Sequence, residues 1–146
     1  MVNKNFVKRK ITLIDEELVS LEKLSQYSLE EVASDFIKLS AAERILERIV
    51  VRAIDVNEHL IAELAVKETK SPLSYGETFL RLVDFKIYPE DFAQNILRSV
   101  KTRNKLVHDY DKLDAGQIYS SIKECLEDYN KYCDYILQFL EGKIKQ

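Results

Sequence analysis

Between Lys4 and about Tyr27 the apolar residues Ile11, Ile14, Leu18, Leu21 and Leu24 recur at spacings of three and four, the pattern of a helix with one buried stripe. Ser28-Leu29-Glu30-Glu31 then has the form of a capping box, in which the serine oxygen accepts from the Glu31 amide and the glutamate reaches back. A short second helix over about Leu29 to Leu39 is predicted from it. Ser40-Ala41-Ala42-Glu43 repeats the signal and predicts a break near Ser40. From Ala41 to Lys67 the apolar residues Ile45, Leu46, Ile49, Val50, Ala53, Ile54, Val56, Leu60, Ile61 and Leu64 cover more than one stripe. A helix apolar over much of its circumference belongs at the centre of a bundle, or faces both a core and a partner chain.

Lys67 to Ser74, with Pro72 and several polar residues, is the clearest loop. Ser74-Tyr75-Gly76-Glu77 opens a further helix through about Phe85, and Pro89 suits the first turn of the next, which runs to about His108. Asp114-Ala115-Gly116-Gln117 begins the last helix, directed toward Leu140 and ending near Gly142. The pattern predicts an all-α fold, an antiparallel bundle of four long helices plus one or two short ones. Residues 1–146 contain no internal repeat, low-complexity tract or long linker, so a single domain is expected.

Composition agrees with this. Only three Gly and two Pro interrupt a chain that is 46% hydrophobic and 32% charged, as amphipathic helices require. The formal charge of -3 confines any nucleic-acid contact to a local patch. Cys125 and Cys133, eight apart in a helical stretch, would lie about 12 Å apart along the axis and are expected as reduced thiols in a cytoplasmic protein. No long apolar run or secretory segment is present, so no membrane contact is expected. With His59 and His108 as the only histidines, a His-rich or Cys-rich metal cage is not expected within one chain, and no cofactor is called for.

One stretch inverts the overall charge. Arg98, Lys101, Arg103, Lys105 and Lys112 stand against only Asp109 and Asp111. This basic segment points to an anionic ligand, with Lys101 and Lys105 as candidates for phosphate or RNA contact. Arg103 offers a planar fork suited to phosphate. Asn104 lies one turn before His108 on the same face, where its amide is placed to orient the imidazole. His108 falls near a predicted helix C-terminus, a position that suits a proton donor. Cleaving RNA through its own 2'-hydroxyl needs a proton acceptor, a proton donor and positive charge at phosphorus, but no metal. One Arg and one His supply half of that set. A two-fold homodimer would complete it, one His108 acting as base and the other as acid.

Arg103-Asn104-Lys105-Leu106-Val107-His108-Asp109-Tyr110 resembles the Arg-x4-His-x-Tyr motif of HEPN proteins, in particular of the HepT toxin family. The likeness extends to the Ala53-Ile54-Asp55-Val56-Asn57-Glu58-His59-Leu60 stretch, to Ser74-Tyr75-Gly76-Glu77-Thr78-Phe79 and to Pro89-Glu90-Asp91-Phe92. It implies a helical dimer acting on RNA as a ribonuclease toxin, with Arg103 and His108 catalytic. It also implies a cognate nucleotidyltransferase antitoxin that adenylylates Tyr110, adding bulk and negative charge where RNA phosphate must bind.

Other polar residues carry weaker signals. Asp55, Asn57 and His59 lie in or beside the apolar central helix, where a structural hydrogen-bond network is the simpler expectation, although Asp55 is also placed to support a composite site. Tyr119, Tyr129, Tyr132 and Tyr135 fit packing better than base stacking. Glu16-Glu17 and Glu30-Glu31 are sequence neighbours pointing about 100° apart, hence no acid-base dyad. The competing functional class is a noncatalytic subunit that holds nucleotide or substrate for a nucleotidyltransferase, with Arg103 and His108 merely binding phosphate.

Overall fold

The structure, a computed structural model, describes residues 1–65, 73–108 and 113–142. Among these it contains six helices: α1 (Lys4–Ser25), α2 (Leu29–Ala33), α3 (Phe36–Leu64), α4 (Tyr75–Asp84), α5 (Glu90–Val107) and α6 (Ala115–Leu140). The expected four long helices are present, and of the one or two short ones expected there are two. Polar bridges fix their directions. Along α1, Asn3, Lys10 and Glu17 meet His59, Asp55 and Arg52 in turn, so α3 descends as α1 ascends. Along α5, Asn95, Ser99 and Thr102 meet Asp128, Tyr129 and Ser121, so α6 is antiparallel to α5.

The starts are set by side chains. Capping boxes at Ser28 with Glu31, Ser74 with Glu77 and Asp114 with Gln117 open α2, α4 and α6 as the sequence predicts. The predicted break at Ser40, however, is displaced. α2 stops at Ala33, and Asp35 caps α3 by accepting from the amides of Ile37 and Lys38 at 2.9 and 3.2 Å. The ion pair of Asp35 with Lys38 at 2.8 Å strengthens that start. Ser40 lies within α3, where Ala41 and Ala42 favour continuation and a capping-box text has no free amides to serve. Pro89 is the N-cap of α5 rather than a residue of its first turn.

α4 ends in a Schellman arrangement: Lys86 N–H donates to Val83 O at 2.9 Å and Ile87 N–H to Leu82 O at 3.2 Å. Its left-handed residue is Lys86, with φ 60°, where glycine is usual. Leu82 and Ile87, the positions whose apolar contact ordinarily accompanies this motif, are both buried.

The core runs between α1, α3 and α6. Val7, Ile14 and Leu21 of α1, Ile49, Val56 and Leu60 of α3, and Tyr129, Tyr132 and Ile136 of α6 are fully buried. Each large aliphatic side chain so placed stabilises by about 1.5–3 kcal/mol. The central helix α3 touches all five others. That explains why its apolar residues fill more than one stripe. Cys125 and Cys133 are buried, unbridged thiols, and burial pushes both up from the usual thiol range. Among the described residues no helix is long and apolar enough to cross a membrane.

Candidate active site

The basic segment lies on the second half of α5, which packs against α4 on one side and α6 on the other. Helical geometry separates its cations. Lys101 and Lys105 are about 40° apart around the axis, whereas Arg103 is about 160° from each. The structure follows that division.

Arg98 is not part of a free cationic patch. Its Nε and Nη2 donate to Oδ2 and Oδ1 of Asp128 on α6 at 2.9 and 3.0 Å, and Asn95 donates to the same carboxylate at 3.0 Å. Glu124 and Glu127 lie beyond at 3.6 and 3.9 Å. The Asp128 hydrogen bond, more than the surrounding charges, raises the guanidinium further above its ordinary range. The sequence count of basic residues therefore overstates the charge available to a ligand, because Asp128 neutralises Arg98 from thirty residues away.

Lys101 and Lys105 face α6 and line a surface groove of about 560 Å³. Gln117, Ser120 and the carboxylates of Asp114 and Glu124 contribute polar groups to it, and Leu29 of α2 adds an apolar side chain to its lining. Cations beside hydroxyl and amide donors are the groups that contact a nucleic-acid backbone.

Arg103 turns the other way. Its guanidinium carbon lies 5.1 Å from the centre of the Tyr75 ring, at the first residue of α4. Nη1 makes a long 3.5 Å hydrogen bond to Oδ1 of Asn104, and Nε is buried with no acceptor. Among the described residues no carboxylate pairs with it, whereas Arg44, Arg48, Arg52, Arg81 and Arg98 all have one. An arginine held in place yet left without an anion is suited to receive one.

His108 is the C-cap of α5, exposed, with φ −101° and ψ 112°, so the chain leaves the helix at this residue in an extended direction. Its N–H donates to Asn104 O at 3.2 Å. Asn104 thus meets Arg103 through its side chain and His108 through its main chain. Tyr110, the candidate for modification, lies outside the described residues.

Asp55 is drawn toward α1, where Lys10 Nζ pairs with it at 2.9 Å. Within one chain the structure does not bring it against Arg103. The expected structural network is present at the other two positions. Asn57 is fully buried and donates to Thr78 Oγ1 at 3.2 Å, while the Tyr132 hydroxyl lies 2.6 Å from its Oδ1. His59 Nε2 accepts from the Asn3 amide at 3.0 Å and its ring packs on Phe6. The tyrosines of α6 serve packing: Tyr129 and Tyr132 are fully buried, Tyr135 packs on Tyr88 and Phe92, and the Tyr119 hydroxyl donates to Tyr27 O.

Tyr75 is the site residue that the sequence did not disclose. Ser74-Tyr75-Gly76-Glu77 announces a helix start, but nothing in it says which ring an arginine 28 positions later will cover.

Residues 14–136 match the family model described as Ribonuclease HepT-like. The chain is 33% identical over 134 residues to the tRNA nuclease HepT of Aphanizomenon flos-aquae, covering 92% of this chain and 89% of that protein. It is 25% identical over 91 residues to the mRNA nuclease HepT of Shewanella oneidensis, covering 62% and 66%. A solved structure of the tri-AMPylated Shewanella oneidensis HEPN toxin in complex with its MNT antitoxin superposes with a TM-score of 0.79 at 21% identity, over 90% of this chain and 97% of that one.

Proposed function

We propose, on the premise that this chain belongs to the HepT-like ribonuclease family, that it is the endoribonuclease toxin of a toxin–antitoxin pair and cleaves RNA without a metal. The observation that carries the site assignment is Arg103, partly buried and paired with no carboxylate among the described residues, five residues before the solvent-facing His108 at the C-terminal end of α5. In this reading Arg103 holds the scissile phosphate. One imidazole removes the proton of the 2'-hydroxyl as that oxygen bonds to phosphorus. A second imidazole protonates the departing 5'-oxygen as its bond breaks, leaving a cyclic phosphate. Two imidazoles require two copies of the chain, so the working unit is a homodimer whose sites draw on both protomers. Asn104 supports the pair, linked to both residues. Asp55 supports the site from α3 across the two-fold interface.

The cognate partner is a nucleotidyltransferase antitoxin, and its action on Tyr110 is part of this reading. A phenol two residues beyond His108 that acquires an adenylyl group places a second phosphate where the substrate's must sit, so like charge and bulk exclude RNA. Buried, unbridged Cys125 and Cys133 support a cytoplasmic setting for both proteins. The test is direct. Purified protein cleaves single-stranded RNA in excess chelator, and coexpression with the antitoxin gives an inactive form heavier by whole adenylyl groups. Tyr110→Phe stays active and unmodified in the same cells. Absence of cleavage by the free protein would leave the noncatalytic nucleotide-holding subunit as the surviving alternative.

Lys101 and Lys105 make the α5–α6 groove the path of the RNA backbone beyond the cleaved bond. Lys101→Glu and Lys105→Glu should each weaken RNA binding to a similar degree for all sequences. Each should also reduce the slope of log affinity against log salt by about one. Fluorescence anisotropy across a salt series measures this; an unchanged slope would remove the groove from the RNA path.

A further inference from the structure

We infer that Tyr75 is a positioning residue for the catalytic arginine: its ring is the platform that fixes the plane of the Arg103 guanidinium and seals Nε, leaving the outer edge to bind phosphate. The inference rests on the ribonuclease reading for its functional consequence, but its geometry stands independently. The guanidinium carbon sits 5.1 Å from the ring centre, within cation–π range. Nε is buried and has no acceptor. A donor is left in this state only where something else stabilises the cation, because an uncompensated buried charge is expensive. The ring face is the compensating group present.

Tyr75 is itself anchored. It is the first residue of α4, and the Ser74–Glu77 capping box fixes the backbone on both sides of it. Its carbonyl accepts from Thr78 Oγ1 at 2.7 Å, and that hydroxyl oxygen in turn accepts from the fully buried Asn57. The chain of bonds runs from the Tyr132 hydroxyl through Asn57 and Thr78 to Tyr75, from the centre of the core to the edge of the site. Gly76 presents no side chain to α5, whose Leu97 would meet an added β-carbon at 3.4 Å, so α4 lies close enough for the ring to reach Arg103.

This arrangement explains how an arginine with one long hydrogen bond among the described residues retains a defined orientation. A carboxylate would orient it equally well but would occupy the edge that phosphate needs. A π face leaves that edge vacant.

The experiment compares Tyr75→Phe, Tyr75→Leu and Tyr75→Leu with Arg103→Ala, using RNA cleavage rates and the NMR resonance of the Arg103 Nε–Hε group. Tyr75→Leu should lower kcat about tenfold with little change in KM, because orientation is expressed in the transition state. Tyr75→Phe, which keeps the ring, should restore the rate to within about threefold. In the Arg103→Ala background Tyr75→Leu should add nothing. The Nε–Hε resonance should be slow to exchange in the wild type and Tyr75→Phe, and fast in Tyr75→Leu. Tyr75→Gln replaces Tyr75→Leu if the latter lacks a dispersed spectrum. Wild-type rates in the ringless variant, or equal damage in Tyr75→Phe, would overturn the inference. If the wild type cleaves no RNA, the ribonuclease reading fails, while the resonance comparison still decides whether Tyr75 holds Arg103.

Discussion

His108→Ala should remove RNA cleavage by a factor of roughly 10²–10⁴ while leaving the fold intact, since general acid-base groups contribute on that scale. The upper part of the range is expected, because in the proposed homodimer one substitution deletes both the acid and the base. His108 is exposed, and alanine retains the main-chain bond to Asn104 O that ends the helix. Thermal stability should change by about 0.5 kcal/mol, the ordinary scale for an exposed substitution. Initial rates on single-stranded RNA in excess chelator, with a melting curve on the same sample, separate the two effects. Cleavage at an undiminished rate would withdraw His108 from the mechanism.

The second large effect is on stability. Asp128 is 3% exposed, and its carboxylate accepts from Arg98 twice and from Asn95 once. Asp128→Ala deletes these bonds and leaves Arg98 with Glu124 and Glu127 at 3.6 and 3.9 Å, too distant to replace them. Breaking one side of a buried ion pair costs about 3–5 kcal/mol, and partial exposure of Arg98 places this case near 3. Denaturant unfolding should show a lower midpoint at constant slope. Replacing both partners, as in Arg98→Met with Asp128→Leu, should restore much of the loss, since neither charge is then stranded. A double variant as unstable as the single one would show that packing, not the stranded cation, sets the cost.

Much of the fold was legible because helix starts are local. Ser28, Ser74 and Asp114 carry their capping partners three residues on, and the structure uses all three. Ser40 misled for the same reason: a capping box is only a local permission, and Asp35 had already begun the helix. Arg103, Asn104 and His108, the residues proposed for the site, belong to one segment, so their placement together at the C-terminal end of α5 was legible. What escaped is tertiary. The neutralisation of Arg98 comes from Asp128, and the support of Arg103 comes from Tyr75, on helices that no spacing within α5 reveals.

The placement of α3 against every other helix affects turnover as well as architecture. A helix that peels away uncovers part of the most apolar segment of the chain, so partial opening is penalised wherever it begins. Persistence of the chain is then an all-or-nothing property. Degradation would then follow its unfolding equilibrium as a whole, and substitutions remote from α5 would alter its activity in cells by changing how much protein survives.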